Sequence, residues 1–319
     1  MLRAEANVRP AKTVVDPRQT RAGPDIATSG REIVSRLIDS AHRAHALALE
    51  HCPHNSRGDC SWYHGVWQYF RALGVAKTAG GSSAYFDQVL RSLAAGGGVR
   101  RVLISGAADD AMSLVVLGAF LAMDRPLELT MVDLCETPLA LARWSARQLG
   151  ASVTTHQADI LAFDPAEKFD VVMTNSFLGE FDLAGRIQLF ARWSTLVRPA
   201  GKLLFTNRLR PGSGHARLGF TDDEVEAFCA AVHRAAERDK AILGLEPAIV
   251  AQWARIYAGR QGSHPVRSVD EVVELLRSSG FAPEEVETAH FTVRPGGEVL
   301  AGPSAAESAD YVRVLATRT

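Results

Sequence analysis

Short apolar runs alternate with amphipathic segments between residues 99 and 208. Runs such as VLIS (102–105) and DVVMTN (170–175) have the length of strands, whereas the segments between the runs carry apolar residues every three or four positions, as helices do. Strands that alternate with helices pair as a mostly parallel sheet with helices on both faces. The pattern therefore predicts an α/β fold with strands at 102–105, 128–133, 152–159, 170–175 and 202–207, and helices at 110–123, 137–149 and 183–196.

Different patterns flank this α/β region. Residues 1–30 contain Pro and Gly residues that interrupt any periodicity, so we expect a disordered leader there. We expect an N-terminal helical lid over 31–97 and a main domain over 98–319, with a helical insertion at about 209–267. The individual predictions are helices at 31–48, 61–73, 83–95, 222–238 and 247–257, and two closing strands at 285–294 and 310–318.

Composition and charge limit the classes of function. The 319 residues are 47% hydrophobic, enough for a sizeable core, and 35 basic and 36 acidic residues give a net charge of -1. This balance, without a long block of one sign, argues against nucleic acid or a membrane surface as the partner and favours a small molecule. We find neither an apolar stretch of membrane-spanning length nor a signal-peptide pattern, and the four cysteines are scattered. We therefore expect a cytoplasmic protein.

The first predicted strand ends in a single glycine, Gly106, followed by AADD (107–110). A glycine at the turn from strand to helix lets backbone N–H groups closely approach a ligand. The next strand ends in Asp133, where a carboxylate would accept the hydroxyls of a ribose. A dinucleotide dehydrogenase would place three glycines in this loop for its pyrophosphate, and this loop offers one. The pattern therefore favours a nucleoside ligand without a diphosphate.

Five stretches in this order and spacing resemble the motifs of class I S-adenosylmethionine-dependent methyltransferases: Gly106, Asp133, QADIL (157–161), FDVVMTNSFLGEF (169–181) and LVRPAGKLLFTNR (196–208). The resemblance implies a Rossmann-like, mostly parallel sheet with an antiparallel last strand, and S-adenosylmethionine as the cofactor. It also implies that the loop at Gly106 and Ala107 holds the methionine part, Asp133 and Leu134 the ribose, Asp159 and Ile160 the adenine, and that Asn175, Ser176 and Phe177 face the sulfonium.

The loop departs from the family pattern. The family usually has an acid two or three residues before its first glycine, where this chain has Ile104 and Ser105. Asp109 can replace that acid and meet the ammonium of the methionine part, or it can serve only as a helix cap. For Asp110 we expect a helix cap.

The stretch HCPHNSRGDCSWYHGVWQYFRALG (51–74) is rich in aromatic and metal-ligating residues. Its spacing does not match a usual zinc finger or ribbon, so we expect no metal site from Cys52, His54, Cys60 and His64. Tyr63 and Trp67 are candidates to hold a sulfonium cation by cation–π attraction, although some of these aromatics must pack on the core. His64 is a candidate base or a hydrogen-bonded structural residue.

The sequence predicts methylation of a small-molecule acceptor, in a specialised metabolic role. The candidate catalytic residues are Tyr63, His64, Asn175 and Ser176; Glu180 and His215 are further available bases, and Asn207 and Arg208 either contact the substrate or fix the following loop. One alternative is intramolecular cyclisation of the cofactor's own aminobutyrate chain to azetidine-2-carboxylate, with release of methylthioadenosine. Another is a protein that senses S-adenosylmethionine without turnover.

Overall fold

The computed structural model describes residues 26–76, 79–212, 214, 216–292 and 308–319. His215 and residues 1–25 of the predicted leader lie outside the described residues. Among the helices that are described, none is both long enough and apolar enough to cross a membrane.

A seven-stranded sheet lies at the centre of the fold. The described strands are β1 (Arg101–Ser105), β2 (Glu128–Asp133), β3 (Thr154–Gln157), β4 (Phe169–Asn175), β5 (Val197–Arg208), β6 (Leu218–Gly219), β7 (Gly262–Ser263), β8 (Phe281–Thr292) and β9 (Ser308–Arg318). The sheet order is β3-β2-β1-β4-β5-β9-β8, and β6 pairs with β7 separately. Strands β1 to β5 are parallel, whereas β9 is antiparallel to both of its neighbours, β5 and β8. The predicted α/β class, with its antiparallel last strand, is confirmed.

Helices cover both faces of this sheet. They are α1 (Ile26–His51), α2 (Ser61–His64), α3 (Trp67–Ala72), α4 (Ala79–Ala95), α5 (Ala111–Ala122), α6 (Glu136–Gln148), α7 (Leu183–Leu196), α8 (Asp222–Arg238), α9 (Lys240–Leu243), α10 (Pro247–Arg260) and α11 (Val269–Ser278). Along β1, Val102 and Ile104 pack with residues of α4, α5 and α6, while Leu103 packs with residues of α7 and α11. Successive strand residues point to opposite faces, so a strand covered on both sides is continuously apolar.

The N-terminal helices and the insertion share a third core. Phe70 of α3 contacts Phe228 of α8 and Tyr257 of α10, with ring centroids 5.3 Å apart in both pairs. Ile38 of α1 belongs to the same cluster, and Ala108, just after the first strand, packs against it. Helices α1, α3, α8 and α10 therefore share one core, whereas α4, also within the predicted lid, packs on the sheet.

Two sequence predictions were wrong in this region. The predicted helix over 61–73 is two short helices, α2 and α3, because the chain turns at Gly65, where a Cβ would lie 2.6 Å from the carbonyl oxygen of Ser61. Helix α1 begins at Ile26, so residues 26–30 of the expected leader are helical. Helix α11, which the sequence analysis did not predict, covers the sheet near β8.

Candidate active site

Two adjoining cavities open at the carboxyl ends of the parallel strands. The first has a volume of about 290 Å³ and the second about 140 Å³. Seven residues line both cavities: Tyr63, Gly106, Ala107, Asn175, Ser176, Glu180 and Gln261. The first cavity also contains His64, Asp133, Leu134, Asp159, Ile160 and Phe177, and the second contains Trp67, Asp109, Asn207 and Arg208. Every residue that the sequence assigned to the site therefore lines one or both cavities.

Gly106 follows β1 with φ +72°, a left-handed conformation that favours glycine. A Cβ at this position would overlap the ring of Phe177, which follows β4. Its neighbour Ser176 has φ +55°, an uncommon value for a residue with a side chain. These two turns bring the first and fourth strand ends into direct contact, and they leave no room for a larger residue at position 106.

Asp133 connects the first two strand ends. Its Oδ2 accepts a hydrogen bond from the N–H of Ala107 at 2.9 Å, and its Oδ1 accepts one from the N–H of Cys135 at 2.8 Å. Burial raises the pKa of this carboxyl, against the opposing effects of His64 and of both backbone donors. Each carboxylate oxygen has a second lone pair, so Asp133 can accept further hydrogen bonds from a ligand in the first cavity.

Asp159 and Ile160 form the far side of the first cavity. Ile160 is buried, whereas Asp159 is partly exposed and accepts a hydrogen bond from Arg57 Nη2 at 2.8 Å. Arg57 belongs to the loop between α1 and α2. This ion pair therefore joins the N-terminal segment to the sheet at the edge of the first cavity.

The two aspartates after the loop have different roles. Asp110 was expected to cap α5, but its carboxylate makes no cap and instead accepts hydrogen bonds from Ser40, Gln68, Arg71 and Ser145. Asp109 Oδ1 accepts the N–H of Ala111 at 2.8 Å. Its buried Oδ2 accepts no hydrogen bond from the described residues, although Arg71 Nη1 lies 3.3 Å away. Burial raises the pKa of Asp109, and Arg71 opposes that shift. Asp109 therefore contacts the start of α5 through Oδ1, while its Oδ2 makes no hydrogen bond with the described residues. The residue also lines the second cavity.

Ser105 occupies one of the positions where the family usually has an acid. Its side chain is fully buried, and its hydroxyl accepts a hydrogen bond from Trp193 Nε1 of α7 at 3.0 Å. This position therefore binds the covering helix, and Asp109 is the carboxylate of this loop that reaches the second cavity.

Asn207 was considered as a substrate contact, but the structure engages both ends of its amide with the backbone. Its Oδ1 accepts the N–H of Leu178 at 3.1 Å, and its Nδ2 donates to the carbonyl of Arg208 at 2.9 Å. Asn207 therefore fixes the turn after β4. Asn175, by contrast, accepts a hydrogen bond from the hydroxyl of Thr206 at 2.7 Å through its Oδ1 and lines both cavities.

Three aromatic rings form one wall between the cavities. The Tyr63 ring stacks on Trp67, with centroids 5.6 Å apart and planes 19° apart, and on Tyr257, at 6.0 Å and 22°. Burial raises the pKa of Tyr63, and the neighbouring Tyr257 and Glu180 raise it further. Tyr63 therefore keeps its proton at neutral pH and is a hydrogen-bond donor rather than a base.

His64 is buried and its Nδ1 lies 3.2 Å from the carbonyl oxygen of Ala108. Burial lowers the pKa of the imidazole, but the thiols of Cys135 and Cys60 and the carboxylate of Asp133 raise it overall. His64 lines the first cavity and not the second.

Residues 116–201 match the family model described as a methyltransferase domain. The matched segment runs from α5 into β5 and contains Asp133, Asp159 and Asn175. The match covers 86 of the 319 residues. The sheet order, with the antiparallel last strand, is the one that the resemblance to class I methyltransferases implied.

Solved methyltransferase structures are similar to this chain at low identity. Magnesium protoporphyrin IX methyltransferase from Synechocystis, with bound S-adenosylmethionine, is 11% identical over 81% of this chain and 93% of its own, with a TM-score of 0.46. Mitomycin 7-O-methyltransferase is 17% identical over 80% of this chain and 57% of its own, also at 0.46. The N-methyltransferase NodS from Bradyrhizobium japonicum, with S-adenosylhomocysteine, is 15% identical over 78% of this chain and 98% of its own, at 0.43. No curated protein sequence matches the chain significantly.

Sequence reasoning missed two residues of the second cavity. Arg210 lines it beside Arg208, and burial lowers the pKa of Arg210 to about 10. Tyr257 completes the aromatic wall from α10. Glu180, which the sequence analysis considered as an available base, lines both cavities, and burial raises its pKa. Arg210 and Tyr257 lie outside the motifs of the sequence, so their convergence appears only in the fold.

Proposed function

We propose that the protein transfers the methyl group of S-adenosylmethionine to a small acceptor molecule. The observation that carries this proposal is the pair of adjoining cavities, which share Tyr63, Asn175 and Glu180 at their junction. Two separate ligand sites that meet at one wall are what a group transfer between two molecules requires, because the reacting atoms must be held close together.

The first cavity suits the nucleoside part of the cofactor. Asp133 keeps lone pairs for two ribose hydroxyls, and the buried Ile160 offers an apolar surface to the adenine ring. Gly106 lets the turn adopt its left-handed conformation in contact with the Phe177 ring, so that the backbone after β1 lines both cavities.

The methionine part fits the junction and the second cavity. The buried Oδ2 of Asp109, which pairs with Arg71 but makes no hydrogen bond with the described residues, can accept one from the ammonium group. The stacked rings of Tyr63, Trp67 and Tyr257 present electron-rich faces to a cation. When bound, S-adenosylmethionine supplies a methyl group already activated by its sulfonium.

Glu180 is the base that this geometry favours. It lines both cavities, whereas His64 lines only the first and contacts the carbonyl of Ala108. Burial raises the pKa of Glu180 and thereby strengthens it as an acceptor for the proton that an acceptor hydroxyl or amine loses. Tyr63 then positions the acceptor as a hydrogen-bond donor.

The second cavity indicates the class of acceptor. Arg208 and Arg210 both line it, and burial lowers the pKa of both guanidinium groups. Guanidinium groups donate paired hydrogen bonds to carboxylate and phosphate oxygens, so an acceptor that carries one of these groups fits best. The size of this cavity, about 140 Å³, favours a small metabolite over a macromolecule.

The deciding experiment incubates the purified protein with S-adenosylmethionine, first alone and then with a panel of small carboxylated and phosphorylated alcohols and amines. Mass spectrometry follows every product. We expect bound, unchanged cofactor in the first incubation and S-adenosylhomocysteine with a methylated acceptor in the second. If the first incubation yields methylthioadenosine and a cyclised amino acid, the reaction is intramolecular cyclisation of the cofactor and not methyl transfer. Cofactor that stays unchanged with every acceptor would favour a sensor.

A further inference from the structure

Three cysteines that are far apart in the sequence meet beside the first cavity. Cys52 follows α1, Cys60 precedes α2, and Cys135 follows β2. The Sγ of Cys135 lies 3.7 Å from that of Cys52 and 3.5 Å from that of Cys60, and all three sulfurs lie within 4.8 Å of one another. We call these residues the three-cysteine cluster.

The sulfur spacing in this cluster is that of a shared metal ion. Zinc binds thiolates at about 2.3 Å in a tetrahedron, which places the sulfurs about 3.8 Å apart. A disulfide would bring two sulfurs to about 2.05 Å, and the cysteines are free thiols in the structure. The observed separations therefore match ligands around a central ion.

His64 lines the first cavity together with Cys60 and Cys135. Its Nδ1 faces the carbonyl oxygen of Ala108, and neither ring nitrogen belongs to the group of ligand atoms that lie within 4.8 Å of one another. Among the described residues, the cluster therefore supplies three ligands.

Polar side chains also surround the sulfurs. Asn55 Nδ2 donates a hydrogen bond to the Sγ of Cys60 at 3.3 Å, and the hydroxyl of Thr137 lies 3.2 Å from the Sγ of Cys52. Hydrogen bonds of this kind hold thiolates in place and compensate their charge, as the outer residues of metal sites do.

We propose that the three-cysteine cluster binds one zinc ion. Binding displaces the thiol protons, and these protons go to solvent. Three protein ligands leave the fourth position of the tetrahedron to a water molecule. Two ligands come from the N-terminal segment and one from the turn that Asp133 supports through the N–H of Cys135. The ion thus ties that segment to the wall of the first cavity.

The first test measures metal on the full-length protein, without S-adenosylmethionine. After purification without chelators and extensive desalting, elemental mass spectrometry should find roughly one zinc per chain. Exchange of zinc for Co²⁺ should give thiolate-to-cobalt charge-transfer absorption and tetrahedral d–d bands. A chain free of zinc that also fails to bind Co²⁺, or a disulfide between two cluster cysteines in the mass spectrum, would overturn the proposal.

Variants separate this site from adventitious metal. Cys60→Ser should lose the zinc, whereas Cys229→Ser, a buried cysteine of α8 outside the cluster, should retain it. Equal retention by both variants would overturn the proposal. Cys52→Ser should likewise lose the zinc and the thiolate-to-cobalt absorption, which gives a second variant should Cys60→Ser fold poorly. Because none of these readouts involves the cofactor, their outcome is separate from that of the methyl-transfer experiment.

Discussion

At the scale of single residues, the site depends on a few atoms whose placement leaves little tolerance. Gly106 lies under the ring of Phe177, Asp133 joins two strand ends, and Glu180 stands between the cavities. Their proposed roles differ: Gly106 leaves space for the Phe177 ring, Asp133 forms hydrogen bonds, and Glu180 accepts a proton. Each can therefore be tested by a substitution that changes one property.

Gly106→Ala should lower the affinity for S-adenosylmethionine by about tenfold or more, equivalent to ~1.4 kcal/mol. The added Cβ overlaps the Phe177 ring, and alanine is strained at φ +72°. Isothermal titration calorimetry measures the change. Gly98→Ala, which meets no atom within 4 Å, is the matched control. The double variant Gly106→Ala, Phe177→Leu should recover part of the lost affinity, because the smaller side chain leaves room for the Cβ. If Gly106→Ala binds S-adenosylmethionine as tightly as the wild type, the turn does not contact the cofactor.

Asp133→Asn should weaken cofactor binding by about 1.5–3 kcal/mol, because charge-assisted hydrogen bonds to the ribose are lost while the shape is kept. This corresponds to about a 10- to 100-fold rise in Kd. The exposed Asp223→Asn serves as the control. An unchanged Kd in calorimetry would remove Asp133 from the binding site.

Glu180→Gln should lower kcat by about 10²–10⁴-fold with little change in cofactor Kd, since the carboxylate is lost but its volume remains. Its raised pKa predicts that kcat of the wild-type protein falls as the pH drops through a value above the ordinary range of a glutamate. Steady-state release of S-adenosylhomocysteine against pH measures both effects, with the exposed Glu274→Gln as control. If kcat of Glu180→Gln falls at low pH in the same way as that of the wild type, another residue is the base.

At the scale of elements, the strand starts are fixed by one carboxylate. Asp170 of β4 accepts hydrogen bonds from the N–H groups of Arg100 and Arg101, each at 2.7 Å, and pairs with Arg198. Burial raises the pKa of this carboxyl, but the backbone donors and Arg198 together lower it below its ordinary value. Asp170 therefore holds β1, β4 and β5 in register at the end of the sheet opposite the cavities.

Asp170→Asn should lower the free energy of unfolding by about 1–3 kcal/mol at neutral pH. A carboxyl whose pKa is lower in the folded state stabilises the fold above its unfolded pKa of about 3.9, and this contribution disappears as the pH falls through the folded value. Chemical denaturation at pH 7 and pH 3 should therefore show a smaller difference between variant and wild type at pH 3. Asp164→Asn, at an exposed carboxylate, should change little at either pH. A difference that is equal at both pH values would contradict the assignment.

The elements that the sequence predicted well are those with a local signal. Strands β1 and β4 are covered on both faces and read as apolar runs, so their positions followed from the pattern. The break at Gly65 was missed because apolar spacing continues through it. The close approach of this residue to the carbonyl oxygen of Ser61 explains the need for glycine there. Periodicity indicates which face of a helix is buried but not that a turn interrupts the helix.

At the scale of the whole molecule, the sequence predicted the sheet and the cofactor half of the site but not how distant segments meet. The nucleoside residues follow strand ends, and parallel topology gathers strand ends at one edge. Tyr257 and Arg210 belong to the insertion, and Cys135 lies 75 residues from Cys60, so no motif spacing relates the two cysteines. The local Cys and His spacing predicts no metal site, and the zinc site is a proposal that rests on the folded cluster. The domain boundaries at residues 30, 97 and 209–267 stay predictions.

The ion pair between Arg57 and Asp159 links the N-terminal segment to the sheet at the first cavity. The pair is solvent-exposed, since 62% of the arginine side chain and 31% of the aspartate side chain are accessible. Exposed ion pairs are weakened by dissolved ions, since charges are screened over about 8 Å at 0.15 M salt. Entry of the cofactor into the wild-type protein should therefore become faster as the ionic strength rises. In Arg57→Gln, which lacks the ion pair, the association rate measured by stopped flow should depend less on salt. The ionic strength around the protein would then set the rate at which the cofactor enters the first cavity.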